Sequence, residues 1–212
     1  DAFAFCTSLA DVTIMECVTE IDGGVFENCS SLTGISLPNS IASINAATFR
    51  NCSSLTSVTI PDSVESIGTN AFSGCSSLKE ITLPSQLTTI EYEAFKGCSS
   101  LTSITIPENV ATIEMLAFED CTSLKNVVMG ENVSTIKMSA FYNCSSLSSI
   151  HIPASTLDID KAAFLGCTGL GQITVADGNE RYDSRDGCNA IIRKGEFKNL
   201  KDRKFLPVAI PL

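Results

Sequence analysis

The chain has 212 residues, 44% of them hydrophobic, and carries 14 Lys and Arg against 24 Asp and Glu, a formal net charge of −10. Residues 1–176 hold 6 Lys/Arg against 18 Asp/Glu, a balance of −12, whereas residues 177–212 hold 8 against 6, a balance of +2. So acidic a body repels phosphate backbones and anionic lipid, which argues against nucleic acid and membrane surfaces as partners, and no apolar run approaches the roughly 20 residues that span a bilayer.

Eight cysteines stand 23 residues apart: Cys6, Cys29, Cys52, Cys75, Cys98, Cys121, Cys144 and Cys167. A phenylalanine lies three residues before each, from Phe3 to Phe164, and a leucine three residues after, from Leu9 to Leu170. An uninterrupted period of this length predicts about eight stacked units of a solenoid, with aromatic, thiol and aliphatic files forming one continuous core. The chain opens inside a repeat, at Asp1-Ala2-Phe3, so its true amino terminus and any export signal are expected to lie outside this sequence.

Each unit begins with a strand. Leu101-Thr102-Ser103-Ile104-Thr105-Ile106 is typical, alternating apolar and polar positions with β-branched residues as a half-buried strand does. One such strand per unit predicts a parallel sheet. Proline follows in five units (Pro38, Pro61, Pro84, Pro107, Pro153), where its missing donor ends the strand and turns the chain. Paired apolar positions then recur, such as Val110 with Ile113 and Val133 with Ile136, and predict an extended or 3-10 segment returning along the opposite side.

Ala-Phe comes next, read as a short helical turn that packs the ring inward. From Cys29 onward, the residue before each ladder cysteine is Asn28, Asn51, Gly74, Gly97, Asp120, Asn143 or Gly166. Only residue types that tolerate left-handed backbone angles occur there, so each turn is predicted to close on a left-handed residue. The fold class that follows is an α/β repeat solenoid over residues 1–176. Residues 177–212 break the period and are expected to form a modified end unit covering the last strand edge, with a hairpin turn at Asp186-Gly187 and a basic tail from Lys194 to Leu212.

Leu-x-x-Ile-x-Ile-Pro, Val-x-x-Ile and Ala-Phe-x-Gly-Cys-Ser-Ser-Leu on one 23-residue period make residues 2–175 resemble the BspA-like, or Treponema-pallidum-type, leucine-rich repeats. Asn179 to Gly187 is similar to the N-x-x-Y-x-S-x-D-G unit that interrupts or ends such arrays. The resemblance implies a curved solenoid with its parallel β-sheet on the concave side, in a bacterial protein at the cell surface or secreted, acting as an adhesin.

Few residues offer chemistry. Ladder cysteines one coil apart come within bridging distance, but their side chains lie parallel, so free buried thiols are expected. No C-x-x-C pair occurs, and one histidine cannot complete a zinc site. That histidine, His151, shares a unit with Cys144, yet strand parity puts the two side chains on opposite sides and forbids a nucleophile–base pair. Glu108 and Glu131 with Asn109 and Asn132, and Glu91 with Glu114, stack as potential calcium oxygens, weighed against an ordinary solvated edge because no loop closes a coordination shell. Glycosylation patterns at Asn28, Asn51, Asn132 and Asn143 follow mostly from the Asn-Cys-Ser grammar of the repeat. No cofactor, metal or catalytic group is expected.

A broad polar strand face remains: Ser57, Thr59, Glu80, Thr82, Ser103, Thr105, Asn126, Val128, Ser149 and His151. Small hydroxyl side chains cost little entropy to order and leave the backbone approachable, which suits a modest-affinity interface, although threonine also simply fits an exposed strand. The expectation is therefore a non-catalytic, monomeric, extracellular or surface-displayed binding protein that holds a protein or glycan of host or bacterial origin on its concave sheet. The alternative is a structural spacer or accessory module that carries another domain.

Overall fold

The structure, a computed structural model, describes residues 2–184 and 191–194. In chain order its strands are β1 (Gly34–Ser36), β2 (Ser43–Ile44), β3 (Ser57–Thr59), β4 (Ser66–Ile67), β5 (Thr89–Ile90), β6 (Ser103–Thr105) and β7 (Thr112–Ile113). They continue as β8 (Asn126–Val128), β9 (Thr135–Ile136), β10 (Ser149–Ile152), β11 (Asp158–Ile159), β12 (Gln172–Val175), β13 (Tyr182–Asp183) and β14 (Ile192–Arg193). The Leu-x-x-Ile-x-Ile segments pair in parallel one period apart, Ile35 opposite Val58, Ile104 opposite Val127 and Ile150 opposite Ile173. The result is a solenoid of 23-residue coils, most with a strand on one side and a return strand on the other.

The two sides differ from the single continuous sheet expected. On the first side pairing lapses: β1–β3, β6–β8 and β10–β12 are separate pairs, and Glu80–Thr82 belongs to no strand. The return side is extended rather than 3-10, and there β5, β7, β9 and β11 run as one four-stranded parallel sheet in the register Thr89, Thr112, Thr135, Asp158.

No helix occurs among the described residues, so the α half of the expected α/β class and the helical turn at Ala-Phe are corrected. The physical reason lies in the backbone. The residue before each ladder cysteine is left-handed, with φ of 59° at Asn28 and Asn51, 76° at Gly74, 71° at Gly97, 60° at Asp120, 57° at Asn143 and 83° at Gly166. A second left-handed position stands four residues earlier, at Gly24, Ala47, Asn70, Glu93, Leu116 and Ser139. With left-handed residues at both ends of this five-residue turn, every second N–H points along the solenoid axis to the next coil. Ala47 N donates to Thr69 O at 2.9 Å, Phe49 N to Ala71 O at 2.8 Å and Asn51 N to Ser73 O at 2.7 Å, and the pattern repeats coil after coil. A helix would consume these donors internally; here they build a third ladder between coils.

The core is the set of files that the period predicts. Phe3, Phe26, Phe49, Phe72, Phe95, Phe118, Phe141 and Phe164 stack with ring centroids 5.2–5.7 Å apart and planes within 13° of parallel. Each buried stacked pair adds about 0.5–1.5 kcal/mol to what area burial alone supplies. The ladder cysteines from Cys29 to Cys167 are free and fully buried. Their thiols bridge coils: Cys52 Sγ donates to Phe26 O at 3.0 Å, and Cys98 Sγ to Phe72 O at 3.3 Å. Phe26 O also accepts from Cys29 N at 3.1 Å, so both of its lone pairs are used. Valine would fill the same space without that donor. Burial pushes the Cys75, Cys98 and Cys121 thiols far up, and Cys52 to about 12, so none is a thiolate near neutral pH.

The eight expected units are not equally formed. In the first, Phe3 is 45% exposed, Cys6 is exposed, and the strand is reduced to a single bridge between Asp11 and Gly34. At the other end β13 and β14 pair antiparallel, Tyr182 opposite Arg193. Asp186-Gly187, expected as the turn, and the tail beyond Lys194 lie outside the described residues.

Three side chains explain the motif preceding that turn. Buried Asn179 donates to Pro153 O and Thr156 O, both at 2.8 Å, and accepts from Arg181 N at 2.9 Å and Tyr182 N at 2.7 Å, which satisfies its whole amide. The Tyr182 hydroxyl accepts from Ile159 N in β11 at 2.9 Å, and Ser184 Oγ accepts from Val175 N in β12 at 3.0 Å. Each of the two last parallel strands thus has a backbone donor capped by a side chain in place of a further strand.

Candidate binding face

All ten residues expected on the polar strand face are exposed, because Val58, Ile81, Ile104, Val127 and Ile150 between them point into the core. The structure brings six of them together. Ser57, Thr59, Glu80, Thr82, Ser103 and Thr105 line one groove of about 730 Å³, floored by Val58, Ile81 and Ile104. Asn126, Val128, Ser149 and His151 lie farther along the same face and do not line it. There His151 Nδ1 is 2.8 Å from Thr174 Oγ1 across β10 and β12, and Val128 is an apolar residue 58% exposed.

The groove sits where pairing lapses around Glu80–Thr82, between β3 and β6. Its far rim is Ser85, Gln86, Pro107, Glu108 and Asn109. Sequence reasoning placed Glu108 and Asn109 on a solvated edge and left Ser85 and Gln86 unassigned.

The other candidates resolve into structural roles. Cys144 is fully buried, its thiol 3.2 Å from Phe118 O, while His151 faces solvent, so the two are no pair. Glu108 Oε2 accepts from Glu131 N at 2.9 Å, and Asn109 Nδ2 donates to Ser85 O at 3.1 Å, both tying one coil to the next. No group of three or more His, Cys, Asp or Glu able to hold a metal occurs among the described residues. Asn51 Nδ2 donates to Asn28 Oδ1 at 3.1 Å and Asn143 Nδ2 to Asp120 Oδ1 at 2.8 Å, which makes these side chains ties between neighbouring coils.

A polar ladder on the turn side was not foreseen. Lys96 Nζ lies 3.3 Å from Glu93 Oε1 and 2.7 Å from Glu119 Oε2, and Arg50 pairs with Glu27 at 2.9 Å. Its hydrogen bond to Glu119 holds Lys96 above its ordinary pKa. At Glu93 partial burial, which favours the neutral acid, is outweighed by hydrogen bonds from Tyr92, Asn70 and Lys96, so its carboxyl sits below the usual range.

Comparison with known proteins agrees with this architecture. The family described as the BspA type leucine rich repeat region (6 copies) matches residues 1–115, 43–171 and 88–199. A leucine rich cell surface protein from Faecalibacterium prausnitzii A2-165 is 35% identical, with a TM-score of 0.74 over 84% of this chain and 47% of that one. The leucine rich repeat protein of T. pallidum is 29% identical, with a TM-score of 0.65 over 72% of each chain. A leucine-rich repeat protein from Bacteroides ovatus is 25% identical, with a TM-score of 0.56 over 84% of this chain and 63% of that one. The chain thus spans about half the length of its Faecalibacterium relative, and no curated protein matches it. No helix among the described residues is long and apolar enough to cross a membrane. With the repeat and the stacked files in one 23-residue register and the family matches running together from residue 1 to 199, the chain belongs to the BspA-type leucine-rich repeat family.

Proposed function

We propose that this chain is a non-catalytic binding module, displayed outside the cell, that holds a protein or glycan on the strand face running from Ser57 to His151. The observation that carries the reading is the groove of about 730 Å³ in which six exposed polar residues from three successive coils converge. Stacked files hold those coils rigidly, so the face is ordered before binding and little entropy is lost on association. The surface display of the Faecalibacterium relative supports the location. Neither nucleic acid nor a lipid surface suits the acidic body, and the module acts as a monomer.

The test is a screen of the intact chain against arrayed glycans and surface proteins, run beside two double variants. Thr82→Lys with Thr105→Lys fills the groove, whereas Thr88→Lys with Ala111→Lys alters exposed positions on the return side. The proposal expects at least a tenfold loss of affinity in the first variant and less than twofold in the second. Equal losses in both, or none in the first, would remove the face from consideration. A chain that binds nothing in the screen would instead support the spacer reading.

A further inference from the structure

The charge and shape of the groove identify its occupant more closely. Its lining includes two carboxylates, Glu80 and Glu108, and no lysine or arginine. Glu108 Oε2 is engaged by Glu131 N at 2.9 Å, but the second oxygen of that carboxylate is not part of this bond. The remaining polar lining is hydroxyl and amide, from Ser57, Thr59, Thr82, Ser103, Thr105 and Gln86 among others. No aromatic side chain lines it, so a sugar ring would find no flat apolar platform to stack on.

Cations on this side of the molecule stand elsewhere. Lys79 and Lys125 are exposed just before the strand positions, and neither lines the groove. Exposed Asp62, in the third coil, and Glu131, in the sixth, add acidic charge near the groove without lining it. The body behind them adds a long-range field, with 6 Lys/Arg against 18 Asp/Glu over residues 1–176. That field speeds the encounter with a cationic ligand, and close pairs in the groove fix where it settles.

We infer that the groove across the third to fifth coils binds an extended polypeptide segment bearing lysine or arginine, with its cations placed at Glu80 and Glu108. This rests on the reading of the strand face as the binding face and narrows its partner from protein or glycan to basic protein. An extended segment fits because rows of small hydroxyls along a flat strand face meet a peptide backbone without steric obstruction. The carboxylates then supply the selective contacts.

The experiment uses the intact chain and fluorescein-labelled twelve-residue peptides of alternating Lys-Ser, Gln-Ser and Glu-Ser, read by fluorescence anisotropy at about 50 and 150 mM salt. The Lys-Ser peptide is expected to bind at least tenfold more tightly than the other two and to weaken at the higher salt. Glu80→Gln with Glu108→Gln, in which the new amide oxygen at position 108 can still accept from Glu131 N, is expected to cost at least tenfold in that affinity while the chain keeps its cooperative thermal transition. Glu20→Gln with Glu65→Gln, which removes the same charge away from the groove, is expected to cost less than twofold.

Equal losses in the two double variants would reduce the effect to general attraction by an acidic body and overturn the inference. Preference for Gln-Ser or Glu-Ser peptide, or a glycan bound through Thr82 and Thr105 with Glu80 and Glu108 dispensable, would overturn the basic partner while leaving the strand face standing. Lys-Ser binding that survives Thr82→Lys with Thr105→Lys would overturn both.

Discussion

At the residue scale, the repeat is written by backbone hand and by one polar thiol. The column before the ladder cysteine was legible because Asn, Asp and Gly advertise a left-handed angle. The column four residues earlier was not, because Ala47, Glu93, Leu116 and Ser139 carry no such signal; hydrogen bonds to the next coil impose the angle on them. Gly97, at φ of 71°, separates hand from space, since an added Cβ there would meet only Gly74 backbone atoms at 3.7 Å. Gly97→Ala should cost about 1–2 kcal/mol in urea unfolding, while Gly97→Asn should cost much less, as in the coils where Asn51 and Asn143 hold the same place. Equal costs would show that crowding, not hand, governs the column. The thiols predict a pH effect with a definite sign. Burial raises the folded pKa of Cys52 to about 12, and those of Cys75, Cys98 and Cys121 well above their ordinary value of 9.0. The folded state therefore keeps protons that the unfolded chain releases, so this stability is complete below about pH 8.5–9 and falls by about 1.4 kcal/mol per pH unit per thiol above it. Cys98→Ala should be about 1–2 kcal/mol less stable than wild type at pH 7. Denaturant titrations should find that gap narrowed by about 1.4 kcal/mol at pH 10, and a constant gap would deny the thiol its protonated role.

At the element scale, strands and turns were readable to different depths. Leu-x-x-Ile-x-Ile predicted the inward and outward residues of each strand correctly, because side-chain alternation depends only on local geometry. Whether neighbouring strands complete their ladder depends on how the coils tilt, and nothing in Glu80-Ile81-Thr82 distinguishes it from Ser103-Ile104-Thr105, which does pair. The lapse and the groove above it were therefore invisible in sequence. The helical reading of Ala-Phe failed for a related reason: short apolar spacing fits a helix turn, but donors aimed at the next coil win when such a coil is present. The end unit is the opposite case, where a motif known only as a pattern acquires a mechanism. Tyr182→Phe leaves Ile159 N without its 2.9 Å acceptor while preserving the ring. It should cost about 1–3 kcal/mol and speed amide exchange in Asp158–Ile159 more than in Thr89–Ile90 at the far edge of the same sheet. Uniform acceleration along the sheet would mean that the tyrosine does not act as a local cap.

At the scale of the whole molecule, repetition separates what holds the protein together from what it offers outward. Phenylalanine, thiol and aliphatic files recur in coil after coil and carry stability, whereas the strand face varies from Ser57 to Glu80 to Ser103 to Asn126 over the same scaffold. The variation is where recognition can be encoded without disturbing the core. Its position was legible, because outward columns follow from the period. Its depth was not, since the rim from Ser85 to Asn109 depends on how the proline turns fold over the face. The most direct measurement is hydrogen–deuterium exchange of the intact chain with and without its bound partner. Glu80–Leu83 belongs to no strand ladder and should exchange quickly when free. Binding should slow exchange there and at Ser57–Thr59 and Ser103–Thr105, leaving Thr89–Ile90, Thr112–Ile113 and Thr135–Ile136 unchanged. Protection confined to those return strands, with Glu80–Leu83 exchanging as before, would contradict a binding role for this face.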